Sequence, residues 1–190
     1  MQINFTLRFS ALLCMLAYVV LTVSFLGVTG IFIHMQIHPE YYVSWNATAI
    51  FSPTVFMKTI IEKWNTAPST DSGLFSIGNI KWYSMYLNCL QILARLMLIF
   101  FAVREFHNII RSVAFIETFH RKNIGSFRKI GQYMFGLFIL SGFITLDASE
   151  ASFRGYAIHF TPIILSAIAY MMSEIFRQGN QLLDENQLTI

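Results

Sequence analysis

Four stretches of this chain are apolar enough to suggest membrane crossings, with polar segments between them. Residues 9–33 contain no charged side chain. That run is longer than the roughly 7–15 residues of a signal peptide's apolar region and suits a full span of about 20. No convincing small-residue cleavage site ends it, so it is expected to be the first transmembrane helix. Residues 82–103 are interrupted only by Arg95. Lys81, Trp82, Tyr83 and Tyr86 mark their start with the cation and amphipathic rings of a membrane–water interface. Past Arg104 and Glu105, residues Phe106, Ile109, Ile110 and Val113 keep a helical spacing, so the helix is expected to run on. Residues 130–146 are near the lower limit for a span, and Gly136, Ser141, Gly142 and Thr145 suit close helix approach. Residues 156–173 carry Pro162 early, where lost backbone bonds cost least, and Gly179 beyond them predicts a helix stop.

The pattern predicts an all-α membrane protein, a bundle of four transmembrane helices in a single domain. A larger extracytoplasmic loop (34–81), a cytoplasmic loop (104–129) and a cytoplasmic tail (174–190) complete it. In the larger loop Phe56, Ile60 and Trp64 recur every four residues beside Lys58, Glu62 and Lys63, the pattern of a short amphipathic helix. Pro68 and residues 69–73 read as a turn.

Composition agrees. The chain has 190 residues, 55% hydrophobic and 12% charged, against about 25% charged in a soluble domain. So few charges cannot cover a water-facing surface of this size, and lipid must be part of the solvent. With four spans, Arg8, Arg104, Arg111, Arg121, Lys122, Arg128, Lys129 and Arg177 fall on one side. Lys58, Lys63, Lys81 and Arg154 fall on the other. The positive-inside rule makes the first side, with both termini, cytoplasmic. Cys14 and Cys89 lie in different apolar stretches at different depths and are not expected to pair.

Arg95 most needs an explanation. It lies about nine residues from the inner end of its helix, roughly 13 Å deep. A charge there costs about 2.5–3.5 kcal/mol on insertion scales and must find acceptors. Snorkelling inward brings it toward Glu174, the expected partner. A structural ion pair and a proton, ion or ligand site both remain open for Arg95 and Glu174. His34 and His38 share a helix face near Glu40, with His159, Asp147 and Glu150 on the same side. No ligand spacing recurs among them, so interfacial histidines without metal are expected. His107 and His120 read as solvated loop positions, and Arg121, Lys122, Arg128 and Lys129 as a basic set meeting anionic headgroups. Asn46-Ala47-Thr48 matches a glycosylation acceptor, a pattern common by chance. There is no P-loop, nucleophile elbow, CxxC or haem-like histidine pair. Neither an enzyme nor a cofactor is expected.

Two segments carry a family resemblance. One is Glu174-Ile175-Phe176-Arg177-Gln178-Gly179, followed by Leu182 and the ending Asp184-Glu185-Asn186-Gln187-Leu188-Thr189-Ile190. The other is Phe119, Asn123 and Phe127-Arg128-Lys129-Ile130-Gly131. Together with the four-span layout they resemble the YoaS-like bacterial membrane proteins, a family of unknown function. The resemblance implies a bacterial cytoplasmic membrane protein. Members are similar to proteins often encoded beside a small helix-turn-helix regulator. It therefore implies such a DNA-binding regulator as partner of the cytoplasmic loop and of the tail residues Leu182, Asn186, Leu188, Thr189 and Ile190.

Three functions follow as expectations, in order. The first is a non-enzymatic interaction or regulatory protein with no direct nucleic-acid contact. The second is a small transporter or ion pathway using Arg95, which at this size would need a homo-oligomer. The third is a membrane enzyme or metal protein using the outer histidines.

Overall fold

The computed structural model describes residues 5–43, 77–114, 121–149, 152–156 and 158–188. The expected amphipathic helix at 56–64, the turn at 69–73, Asn46, Glu150 and His120 lie outside them. Among the described residues the order is α1 (Phe5–Ile37), a 3-10 turn (Pro39–Tyr41), a second 3-10 turn (Ile77–Asn79), α2 (Trp82–Ala114), α3 (Arg121–Gly142), β1 (Phe143–Asp147), β2 (Ser152–Tyr156) and α4 (Phe160–Leu188). Three of the helices, α1, α2 and α4, are long and apolar enough to cross a membrane. α3 is not among them, because its first turns carry Arg121, Lys122, Arg128 and Lys129.

Several expectations change. The third apolar stretch is helical only to Gly142; its last residues form β1, which pairs antiparallel with β2 in the register Phe143↔Tyr156 to Asp147↔Ser152. The described residues are nonetheless all-helical apart from this one short hairpin, with four long helices. Aromatic and β-branched residues after Gly142 favour the extended backbone. The fourth helix starts at Phe160 instead of 156, which places Pro162 in its first turn. Gly179 does not stop it. A glycine costs only about 1 kcal/mol in a helix interior, and the leucines and acidic residues beyond carry the helix on. As the spacing of Phe106, Ile109, Ile110 and Val113 predicts, α2 runs on past Glu105 to Ala114, and within the segment 104–129 helix resumes at Arg121. The outer loop, expected from residue 34, starts later, because α1 continues to Ile37.

Two compact units share these elements: residues 1–23, 96–138 and 160–190 form one, residues 24–95 and 139–159 the other. In the first unit the buried set is small: Cys14, Ala102, Ile109, Ile110, Met134 and Ala169, with Asn123, Ser126, Ser166 and Ser173. α3 and α4 meet there at a glycine. A Cβ on Gly131 would lie 3.0 Å from the Tyr170 ring. Ser166 Oγ donates to the Gly131 carbonyl (2.9 Å) and Ser173 Oγ to the Ile124 carbonyl (3.1 Å). Phe127 and Phe176 pack at 5.0 Å. Small and hydroxyl residues are how helices associate where lipid removes the hydrophobic force between them.

The second unit has a more ordinary apolar core of Met35, Tyr42, Ile77, Ile80, Met85 and Leu146, the last wholly buried. An isolated bridge, Ile80↔Ala148, holds the start of α2 to the end of β1. Lys81 N–H donates to the Asp147 carbonyl and Ser149 N–H to the Asn79 carbonyl. Both cysteines are buried and free. In α1 the only buried side chains are Cys14 and Met35, while Leu12, Leu16, Val19, Val23 and Leu26 are exposed. A helix apolar all round with so little cover is one that lipid solvates.

Candidate functional site

Ser84, Asn88, Gln91 and Arg95 lie four, three and four residues apart on α2, so helical periodicity stacks them in one polar stripe. Along it runs the end of α3 and the start of β1. Ser84 Oγ donates to the Thr145 carbonyl (3.0 Å) and accepts from Asp147 N–H (3.1 Å). Asn88 Nδ2 donates to the Thr145 carbonyl (2.7 Å) and to the Ser84 carbonyl one turn back (2.8 Å). Gln91 Nε2 donates to the carbonyls of Leu140 (2.6 Å) and Phe143 (2.5 Å). Arg95 donates through Nη2 (3.0 Å) and Nε (3.3 Å) to the Leu140 carbonyl. Tyr83 closes the series by donating to the Asp147 carboxylate (2.6 Å).

The reason for this ladder is at the end of α3. The last carbonyls of any helix lack intrahelical partners and carry the negative end of its dipole. One of them, the Leu140 carbonyl, accepts here from the Gln91 amide and the Arg95 guanidinium. Arg95 therefore acts as a C-terminal cap on a neighbouring helix.

The expected partner Glu174 is engaged elsewhere: Arg177 donates to both carboxylate oxygens (2.6 and 2.9 Å) and Gln178 to one (3.2 Å). These are local bonds along an exposed helix face, three and four residues apart. The acceptor for Arg95 is a backbone carbonyl instead of a carboxylate.

The tail residues belong to the extension of α4. Leu182 is 61% exposed and its neighbour Leu183 45%. Asn186 and Leu188 fall in the last turn of the helix, and Thr189 and Ile190 lie outside the described residues. Arg121 reaches Asp184 at 4.0 Å, both exposed.

A basic cleft of about 1000 Å³ lies between α2 and α3 in the first unit. Arg104 and Arg111 line it from α2, with Lys122 and Lys129 from α3: four cations against the single carboxylate of Glu105. Each pair of cations is seven residues apart and so shares a helix face. Glu105 accepts from Ser126 Oγ (2.7 Å) and Lys129 Nζ (3.4 Å) with its side chain only 13% exposed. Of the basic set named from sequence, Lys122 and Lys129 line the cleft, whereas Arg121 and Arg128 do not.

In the second unit the histidines at the end of α1 find local partners. His34 Nδ1 is 2.9 Å from Tyr42 Oη, and His38 Nδ1 is 3.1 Å from Glu40. The Glu40 carboxyl is held below its ordinary range, chiefly by its own backbone N–H and further by the His38 ring. Among the described residues no three His, Cys, Asp or Glu side chains are placed to hold a metal. His107, expected in a solvated loop, sits on α2 with its ring 6.1 Å from Tyr18. Its buried Nδ1 has no hydrogen-bond partner among the described residues.

The model of a family described as proteins of unknown function, DUF2975, matches residues 66–190, about two thirds of the chain. The chain belongs to the DUF2975 family. No curated protein and no solved structure matches it. The DUF2975 segment takes in α2, α3, the hairpin and α4, hence the polar ladder, the basic cleft and the tail; α1 precedes it.

Sequence reasoning singled out Arg95 but missed Ser84, Asn88 and Gln91, three uncharged residues whose helical spacing with Arg95 was the available signal. It also missed that Arg104 and Arg111 converge with Lys122 and Lys129. That signal was weaker, since it requires knowing that α2 and α3 turn back on one another.

Proposed function

We propose that this DUF2975 protein is a non-enzymatic interaction or regulatory protein of the bacterial cytoplasmic membrane. In this reading α1, α2, α3 and α4 all cross, both termini are cytoplasmic, and residues 104–129 with the tail bind a small helix-turn-helix regulator. The observation that carries it is the continuation of α4 beyond its apolar run. From Glu174 to Glu185 the helix is largely polar and solvent-exposed, yet Leu182 and Leu183 stand out on it uncovered. Adjacent apolar anchors on a polar helix suit insertion into a groove of a partner. The regulator itself comes from the family resemblance.

The competing reading, an oligomeric transporter built on Arg95, is less well supported. A guanidinium donating to a helix-end carbonyl among three other backbone-directed side chains is occupied structurally.

The test is a crosslinking pull-down from native membranes. Full-length protein is compared with a chain truncated after Gly179 and with an intact-length Leu182→Glu/Leu183→Glu variant, whose exposed positions spare the fold. A small DNA-binding protein captured by the full-length form and lost from both others is expected. Capture that ignores all three changes, or no partner at all, sinks the proposal.

A further inference from the structure

We infer that the basic cleft between α2 and α3 binds the phosphate of an anionic lipid headgroup. The inference rests on the membrane placement proposed above and not on the regulator.

Three features of the cleft point to an anion. Arg104, Arg111, Lys122 and Lys129 contribute four positive charges to one concave site, and its sole carboxylate, Glu105, is already bonded to Ser126 and Lys129. Four cations would ordinarily repel one another and disperse; converging on one cleft, they are stabilised by an occupant of opposite sign. The lining is entirely polar apart from Gly125, so the occupant is a charged group and not an acyl chain. Asn108 on α2 adds an amide donor of the sort phosphate oxygens accept.

The source of the phosphate follows from the position of the cleft along the helices. On α2, Arg104 lies seven residues, about 10 Å, beyond the exposed Met97. On α3, Lys129 lies six residues, about 9 Å, before the exposed Phe135. Large apolar side chains facing outward one or two turns away belong against hydrocarbon, and a headgroup phosphate sits at that distance from them. Charges that merely obey the positive-inside rule need not converge. Arg121 and Arg128, on the same helix as Lys122 and Lys129, lie outside the lining and so supply a matched control.

The experiment reconstitutes full-length protein into vesicles of equal parts phosphatidylglycerol and phosphatidylcholine. The lipids retained by the purified protein are then counted by native mass spectrometry. Arg111→Gln/Lys122→Gln removes two cleft charges, and Arg121→Gln/Arg128→Gln removes two outside it. The cleft variant is expected to lose its preference for phosphatidylglycerol about fivefold per charge removed, the control to keep it. Retention in both, or equal loss from both, overturns the inference; equal loss would mean diffuse surface charge alone. Soluble glycerol phosphate added in excess is expected to leave the lipid bound. If it displaces the lipid at millimolar concentration, the site is for a free phosphoanion and the lipid assignment falls. Should the double variant lose its melting transition, Lys122→Gln alone carries the same comparison at about fivefold. Flotation with the vesicles separates the two levels of argument. Protein that does not float removes the membrane placement itself, whereas protein that floats without lipid preference removes only this inference.

Discussion

Arg95 shows how a costly residue acquires a structural reason. Its guanidinium and the Gln91 amide both donate to the Leu140 carbonyl, so each protects that acceptor when the other is removed. Arg95→Leu alone should therefore cost only about 1–2 kcal/mol of folded-state stability, typical of an interhelical polar contact in lipid. Gln91→Leu alone should cost a similar amount, since it also exposes the Phe143 carbonyl. The double variant leaves the end of α3 without either donor and should lose more than the sum, by roughly 1–3 kcal/mol, the desolvation penalty of an unsatisfied buried group. Thermal unfolding of the four proteins in one detergent measures the cycle. Additive losses would mean that the two side chains do not share an acceptor. An Arg95→Leu protein that melts normally but fails to pass solute in a flux assay would reinstate the transport reading. At this scale the sequence was partly legible. A charge inside an apolar run announces a constraint, but it does not say whether carboxylate or carbonyl answers it. Glu174 was the nearest anion on paper, yet Arg177 is three residues away on the same helix and reaches it without leaving the surface.

Among the elements, the contact of α3 with α4 is the most sharply specified. Gly131 and Tyr170 meet where a methyl group barely fits, and the Ser166 hydrogen bond to the Gly131 carbonyl holds the backbones at that distance. Gly131→Leu should destabilise the protein by about 1–3 kcal/mol through overpacking, and the displaced helix should lose the Ser166 bond as well. Gly131→Ala is a milder case. The exposed Tyr170 ring can shift by a few tenths of an ångström, and alanine recovers about 1 kcal/mol of helix propensity, so the two effects nearly cancel. Combining Gly131→Leu with Tyr170→Ala should recover most of the loss, and melting temperatures check it. If the leucine costs as much with Tyr170 removed, the clash is not the cause. Hydropathy located these helices well because lipid rewards long apolar runs, and α1, α2 and α4 carry them. It located the ends poorly. The strand at 143–147 is as apolar as the helix before it, so hydropathy cannot distinguish them, and pairing with β2 together with donors on α2 makes the extended backbone tolerable. Gly179 misled for the opposite reason: a helix stop needs a left-handed residue and a supporting cap, and glycine supplies only the freedom to adopt one.

For the molecule as a whole, the number of crossings turns on α3. Its 22 residues span about 33 Å, enough for a hydrocarbon core near 30 Å. The apolar part, however, begins only at Ile130 and covers roughly 20 Å. Two features make up the difference. Lys129 and Arg128 can carry their charges outward while their stems stay in the apolar layer. At the other end β1 continues the path in extended form, and Ser84, Asn88, Gln91 and Arg95 supply the hydrogen bonds that lipid cannot. Water would satisfy those carbonyls without help. Four side chains directed at them are what a chain needs where water is scarce, and this favours a crossing by α3 and β1 together. The consequence is open to measurement. Lys122→Cys and Ser149→Cys place exposed thiols at the two ends of this path, and the native Cys14 and Cys89 are buried. In intact spheroplasts a membrane-impermeant thiol reagent should label the Ser149→Cys protein and spare Lys122→Cys until the membrane is opened. Labelling of both from outside, or of neither, would mean that α3 does not cross. The chain would then have three spans and termini on opposite sides; labelling of both would also move the cleft between α2 and α3 off the cytoplasmic side, whereas labelling of neither would leave it there. Labelling of Lys122→Cys alone would keep the crossing and invert the orientation that the basic residues imply.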